Sequence, residues 1–113
     1  MRVRNSDKVY LFRQQNGTKI PVRLFVTYYI DNNNVALEVY DLNHSPVARI
    51  SVNVDKMPEN WFAVDTNNVP TAEEFLKNNH IATYTGGSVQ SGYCEYPVYA
   101  FTDSFLSDEK ILL

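Results

Sequence analysis

The chain reads as one α+β domain over residues 1–113: a mostly antiparallel sheet of about five or six short strands, with one main helix packed on one face. Three observations predict this. Residues 21–54 hold three runs in which apolar and polar side chains alternate with period two, separated by short turns. Residues 70–78 carry a helix start, acidic residues in the first turn and a base in the last. Four glycines and five prolines are too few for a linker, and 44% hydrophobic against 20% charged residues suits a chain that buries a core.

The elements follow in order. Val9 to Phe12 is a short strand, closed against Ile20 across Asn16-Gly17, a dipeptide that favours tight hairpins. Val22, Leu24, Val26, Tyr28 and Ile30 then alternate with Arg23, Phe25, Thr27 and Tyr29. The run Asp31-Asn32-Asn33-Asn34 is a turn, because asparagine tolerates left-handed backbone and bonds its own main chain. A second strand carries Val35, Leu37 and Val39 on one face and Ala36, Glu38 and Tyr40 on the other. After a turn at Asp41-Leu42-Asn43-His44-Ser45-Pro46, a third places Ala48, Ile50, Val52 and Val54 inward, with Arg49, Ser51 and Asn53 outward. A strand whose apolar face is so marked needs a cover.

The helix between Pro70 and Asn78 is that cover. Its start lies at Asn68 or at Thr71, where Thr71 and Glu74 have capping-box spacing. Glu73 and Glu74 favour the positive end of the helix dipole and Lys77 the negative end. Ala72, Phe75 and Leu76 form its apolar side, and Asn79 or His80 ends it in a left-handed turn. Trp61 to Val64 is a further short strand. Gly86-Gly87 marks a bend, and Tyr93 to Phe101 is another strand, with Pro97 at an edge or bulge. A short helix opened by Asp103 or Ser104 closes the chain.

Charge is uneven. Residues 1–23 hold six bases against one acid, while residues 24–113 hold four bases against twelve acids, within a net charge of −3. Bases spread singly along strands usually serve to block edge pairing. Arg4, Lys8, Arg13, Lys19 and Arg23 do interleave with Tyr10, Phe12 and Phe25, and on a sheet such a set can stack bases and hold phosphates. These five are the candidate nucleic-acid contacts. Against them stand a pI near 5.2 and the absence of a known nucleic-acid motif.

Catalytic chemistry finds little footing. The one cysteine, Cys94, cannot form an intramolecular disulfide, and its neighbours Tyr93 and Glu95 supply no positive charge to favour a thiolate nucleophile acting with His44 or His80. An inert structural thiol on the face of Tyr96 and Val98 is the expectation. His44 and His80 lie too far apart in sequence for a zinc ligand pair at the usual spacings. Asp65-Thr66-Asn67 lacks the glycine and distal glutamate of a calcium loop, so an Asx-type turn ahead of the helix explains it better. Thr85-Gly86-Gly87-Ser88 is not followed by lysine or a helix, so it is a turn rather than a phosphate loop. No cofactor is expected. No apolar run reaches the roughly 20 residues of a membrane span, and the N-terminal segment lacks the apolar stretch of a signal peptide.

Eight tyrosines and one tryptophan are the better lead. Trp61, Tyr84, Tyr93, Tyr96 and Tyr99 are the candidate protein-binding surface, since amphipathic rings are enriched at interface hot spots. The competing reading is packing with the hydroxyls reaching water.

The segments Val64-Asp65-Thr66-Asn67-Asn68-Val69-Pro70 and Ser91-Gly92-Tyr93-Cys94-Glu95-Tyr96-Pro97-Val98-Tyr99, with Thr85-Gly86 between them, resemble a family of small proteins carried by conjugative elements, plasmids and phages of Gram-positive bacteria, known as a domain of unknown function. The sequence departs from the family at His80, where the family is expected to have glycine. The resemblance implies a cytoplasmic accessory role in a mobile element and names no activity, cofactor or catalytic residue. The sequence therefore points to a non-enzymatic cytoplasmic module that binds an unidentified protein partner, with counter-defence as one role the setting allows. The alternative is a nucleic-acid-binding accessory protein that uses the basic N-terminal strands.

Overall fold

A computed structural model describes residues 4–109. Among them the order is β1 (Arg4–Asn5), β2 (Tyr10–Arg13), β3 (Lys19–Tyr28), β4 (Val35–Asp41), β5 (Pro46–Arg49), β6 (Ser51–Val52), β7 (Trp61–Val64), α1 (Ala72–Asn78), β8 (Ala82–Ser91), β9 (Cys94–Phe101) and α2 (Asp103–Asp108). Strand makes up 48% of the described residues and helix 12%, so the domain is β-rich. The strands form two antiparallel sheets. In the first the order is β1-β3-β4-β5, with β2 paired to the first part of β3; in the second it is β6-β7-β9-β8. The expectation of a single sheet under one main helix is thereby corrected to two sheets and two short helices.

The reason lies at Ile50. Period-two alternation predicts an unbroken third strand from Ala48 to Val54, but the chain changes sheets there. Ile50 donates its N–H to Leu37 O of the first sheet at 2.9 Å and accepts from Asp65 N, beside the second, at 2.8 Å. Ser51, expected outward, is 1% exposed. Its Oγ accepts Leu37 N at 2.9 Å and lies 3.0 Å from the Tyr29 hydroxyl. Because its hydroxyl finds these partners, a polar residue sits at the crossing without an unpaired buried group.

Both sheets turn apolar faces to one core. Val22, Leu24, Leu37 and Val39 from the first meet Phe62, Val64, Tyr99 and Phe101 from the second, all in one cluster of buried side chains. Each such large side chain contributes about 1.5–3 kcal/mol on leaving water. The helices fill the remaining openings. Phe75 of α1 lies edge-on to Phe12 at 5.2 Å and to Tyr10 at 6.3 Å. Phe105 of α2 stacks on Phe101 at 5.0 Å. Neither helix is long enough to stand alone in water, so each is held by this docking.

Most turns fall where the residues require them. Gly17 has φ +89° and Asn16 Oδ1 accepts Thr18 N at 2.9 Å in the β2–β3 hairpin. Asp41 Oδ1 accepts both Asn43 N and Ser45 N, so the β4–β5 turn is an Asx turn. His80 ends α1 at φ +55°, the left-handed position expected there. The Thr85–Ser88 segment is a correction. It lies inside β8 as a bulge, with Tyr84 opposite Tyr99 and Ser88 opposite Pro97. Three residues thus face Val98 alone, and Thr85 Oγ1 satisfies the Val98 carbonyl at 2.8 Å. Gly86 supplies the φ of +90° this needs. Pro97 sits at the bulge, where its missing N–H is tolerated, and the true hairpin turn is at Gly92-Tyr93.

Candidate interaction surface

The turn between β7 and α1 sets the site. Asp65 accepts from Asn68 through both its carboxylate oxygens, from the backbone N–H at 3.2 Å and from Nδ2 at 2.9 Å. Val69 N reaches the Asp65 carbonyl at 2.9 Å. This is the expected Asx-type turn. The helix start resolves to Thr71, which makes no side-chain cap bond. Launched from there, α1 aims Glu73 at the sheet, where its Oε2 accepts the Tyr99 hydroxyl at 2.5 Å. Lys77 stands 4.0 Å from the same oxygen, and Glu74 pairs with Arg13.

Tyr99 is the first correction to the predicted surface. Its ring is fully buried, against Tyr84 at 5.7 Å, so it supports the surface from below and forms no part of it. Burial, then the hydrogen bond to Glu73 and the charge of that carboxylate, hold the Tyr99 phenol well above its ordinary range. The buried Tyr10 phenol is pushed up to about 12, by desolvation first and then by Glu109 and Asp108.

These two rings predict an alkaline unfolding step. In the unfolded chain both phenols titrate near pH 10; in the fold they keep their protons to higher pH. Above pH 10 the unfolded chain therefore binds fewer protons than the folded one, and stability falls as pH rises. The stability these phenols contribute is complete below about pH 10 and is lost as the pH climbs to about 12 and beyond. Phenolate absorbance in an alkaline titration should show late tyrosines that ionise together with loss of circular dichroism. Two late tyrosines that ionise with the fold intact would contradict it.

The other aromatic candidates divide between faces. Cross-strand partners share a face of a sheet, and residues two apart on a strand do likewise. Trp61 is opposite Ala100, and Ala63 opposite both Val52 and Val98. Trp61, Val52, Ala63, Ala100, Val98, Tyr96 and Cys94 therefore share the outer face of the second sheet. Phe62, Tyr99 and Tyr84 share the inner one. Tyr84, 50% exposed, emerges at the β8 edge of that inner face, while Tyr93 stands fully exposed at the hairpin tip. The register thus joins Trp61 to Tyr96 and separates Tyr84 from them. Cys94 is half-buried beside Tyr96, whose phenol is raised first by a hydrogen bond to that thiol.

The five candidate bases do not gather either. The side chain of Arg4 lies outside the described residues. Lys8 stands over the Tyr10 ring at 5.2 Å, and Arg13 is held by Glu74. Lys19 and Arg23 lie on the outer face of β3. Of the aromatics meant to accompany them, Tyr10 and Phe12 are core residues at 4% exposure each, while Phe25 is half-buried on the outer face of β3. His44 and His80 both lie on the surface. Among the described residues no three His, Cys, Asp or Glu side chains gather as a metal-ligand group, and no helix is long and apolar enough to cross a membrane. A hollow of about 200 Å³ lies between Phe12, Gln15, Val47, Asn68 and Thr71. That is below the roughly 300–1,000 Å³ of small-molecule pockets.

A family model described as a domain of unknown function, DUF4313, matches residues 23–110, and the chain belongs to that family. No curated protein and no solved structure matches it.

Proposed function

We propose that this chain is a non-enzymatic, cytoplasmic protein-interaction module of a mobile genetic element, and that the outer face of the β6-β7-β9-β8 sheet is its partner surface. One observation carries the reading. Trp61 and Tyr96 are brought onto one face, with Val52 and Cys94 at its flanks and Ala100 and the buried Ala63 and Val98 between them. Trp61 is 38% exposed and Tyr96 half-buried. The helices stay on the other side of this sheet, where Glu73 meets Tyr99 and Phe105 meets Phe101. Asp65 is the nearby acid, and its oxygens are engaged by Asn68. An apolar centre with large rings at its margin and little charge is the anatomy of an interface core.

A tagged pull-down from lysate of a Gram-positive host, with and without nuclease, tests it. The wild-type chain should retain a protein in both halves. Trp61→Ala plus Tyr96→Ala should weaken that capture by about thirty-fold or more, the loss of hot-spot residues. Tyr84→Ala, on the opposite face, should leave it unchanged. Retention by the double variant would remove this face from the proposal, and recovery only without nuclease would replace protein by nucleic acid as the partner.

A further inference from the structure

We propose that the outer face of the first sheet is a stacking platform for single-stranded nucleic acid, separate from the protein surface above. The register places Arg23 opposite Tyr40, and Glu38 opposite both Phe25 and Arg49. These five residues share the face turned away from Val22, Leu24 and Val39. At its centre the Phe25 and Tyr40 rings meet edge to face at 5.8 Å, and both are half-buried, so part of each ring reaches solvent. Lys19 extends the face along β3 and is exposed.

The charge of this face runs against that of the chain. Lys19, Arg23 and Arg49 stand against Glu38, on a protein of net charge −3. Glu38 is also occupied: Arg49 Nη2 lies 3.6 Å from one of its oxygens, and the Tyr40 hydroxyl donates to the other at 3.2 Å. Lys19 and Arg23 have no ion-pair partner among the described residues and form the surplus. Rings set between cations on an open sheet suit unpaired bases, each of which has a π-face to stack while phosphates meet the charges. Duplex bases are stacked on one another and offer no such face. The platform keeps Lys19, Arg23 and Phe25 of the cation and aromatic set that the N-terminal sequence offered, and the first sheet adds Tyr40 and Arg49 to it from β4 and β5.

Fluorescence anisotropy of a 5′-labelled oligothymidylate, about a dozen nucleotides long to cover one site, reads this directly. Two phosphate contacts, from Lys19 and Arg23, give a slope of log affinity on log salt near −1.4, so affinity should fall about 25-fold between about 20 and about 200 mM salt. Arg23→Gln should reduce the slope by about 0.7. Phe25→Leu, which keeps apolar bulk, should weaken binding about ten-fold with the slope unchanged, and Tyr40→Leu should repeat this if Phe25→Leu lowers the melting temperature. Tyr93→Ala should bind as wild type. Absence of binding by the wild type at the lowest salt would overturn the proposal. Undiminished binding by the folded ring variants, preference for duplex, or loss of binding in Tyr93→Ala would overturn it equally.

Discussion

Asn34→Ala is expected to lower the stability of the folded chain by about 3 kcal/mol, read as a lower urea midpoint with an unchanged slope. Asn34 is 5% exposed, yet its amide is fully used. Nδ2 donates to Val54 O and Asp55 O, each at 3.1 Å, and Oδ1 accepts Met57 N at 2.8 Å. Asn32 adds its Nδ2 to Val54 O at 2.8 Å and its Oδ1 to Asn34 N at 3.1 Å. The turn between β3 and β4 thus grips the connector that leads from β6 to β7, and so joins one sheet to the other. Alanine would leave the Met57 N–H and the Asp55 carbonyl without these partners, while Val54 O keeps Asn32 Nδ2, at about 1–3 kcal/mol for each group that water does not reach. For a domain of this size the melting temperature should fall by roughly 10 °C or more. Asn34→Asp separates the two roles, because a carboxylate can accept from Met57 N but cannot donate to the carbonyls. It should lose nearly as much. A loss below about 1 kcal/mol in both variants would mean that water takes over the amide's work.

The sequence made Asn34 legible as a turn residue and no more. Its neighbours Asp31, Asn32 and Asn33 are equally good turn formers, and Asn33 takes the left-handed conformation, at φ +61°. What distinguishes Asn34 is a set of partners about twenty positions away, which no local pattern encodes. The same limit explains Ile50. Alternation reported that Ala48, Ile50 and Val52 are apolar, but a strand that leaves one sheet for another keeps its alternation through the change of partner. Strands β2 to β5 of the first sheet were legible because each faces water on one side, which writes period two into the residues, whereas the two-residue β1 carries no such pattern.

For the surfaces, the sequence supplied residue types and the fold supplied parity. Trp61, Tyr84, Tyr96 and Tyr99 lie on three neighbouring strands, and which of them share a face depends on the register of each strand against the next. The Thr85–Ser88 bulge also lies within β8, where it puts three residues opposite Val98. The Gly-Gly pair signals a break in regular backbone, and as a bulge it leaves the hairpin running on to Gly92, where a turn would have ended the strand. The aromatic group therefore read as one surface and divides into two faces, a tip and a core residue. Tyr40 and Arg49 went unnoticed as site residues for the converse reason. Each is an ordinary outward side chain on its own strand, and only the β3-β4-β5 pairing sets them beside Phe25 and Arg23.

Glu109→Ala should destabilise the chain by about 3–4 kcal/mol, a loss comparable to that at Asn34 although the residue lies past the end of α2. Glu109 is 1% exposed. Its Oε2 accepts Asp7 N and its Oε1 accepts Lys8 N, each at 3.1 Å. Bonds to a charged acceptor contribute about 1.5–3 kcal/mol each, and two are lost. Ser6, one residue earlier, exchanges bonds with Leu24 of β3: its N–H donates to Leu24 O at 2.8 Å and its Oγ accepts Leu24 N at 2.9 Å. The carboxylate therefore fastens the segment before β2 to the C-terminal helix, and through Ser6 to the first sheet. Glu109→Gln keeps an acceptor oxygen but loses the charge, so it should cost about half as much. Amide exchange locates the effect: Asp7 and Lys8 should exchange faster in both variants, while Leu37 in the core keeps its protection until global unfolding. The same substitutions should let the Tyr10 phenol ionise below its value of about 12, because Glu109 is one of the charges that raise it. Unchanged exchange at Asp7 and Lys8 in Glu109→Ala would show that the N-terminal segment is held without this carboxylate, and the predicted loss of stability would go with it.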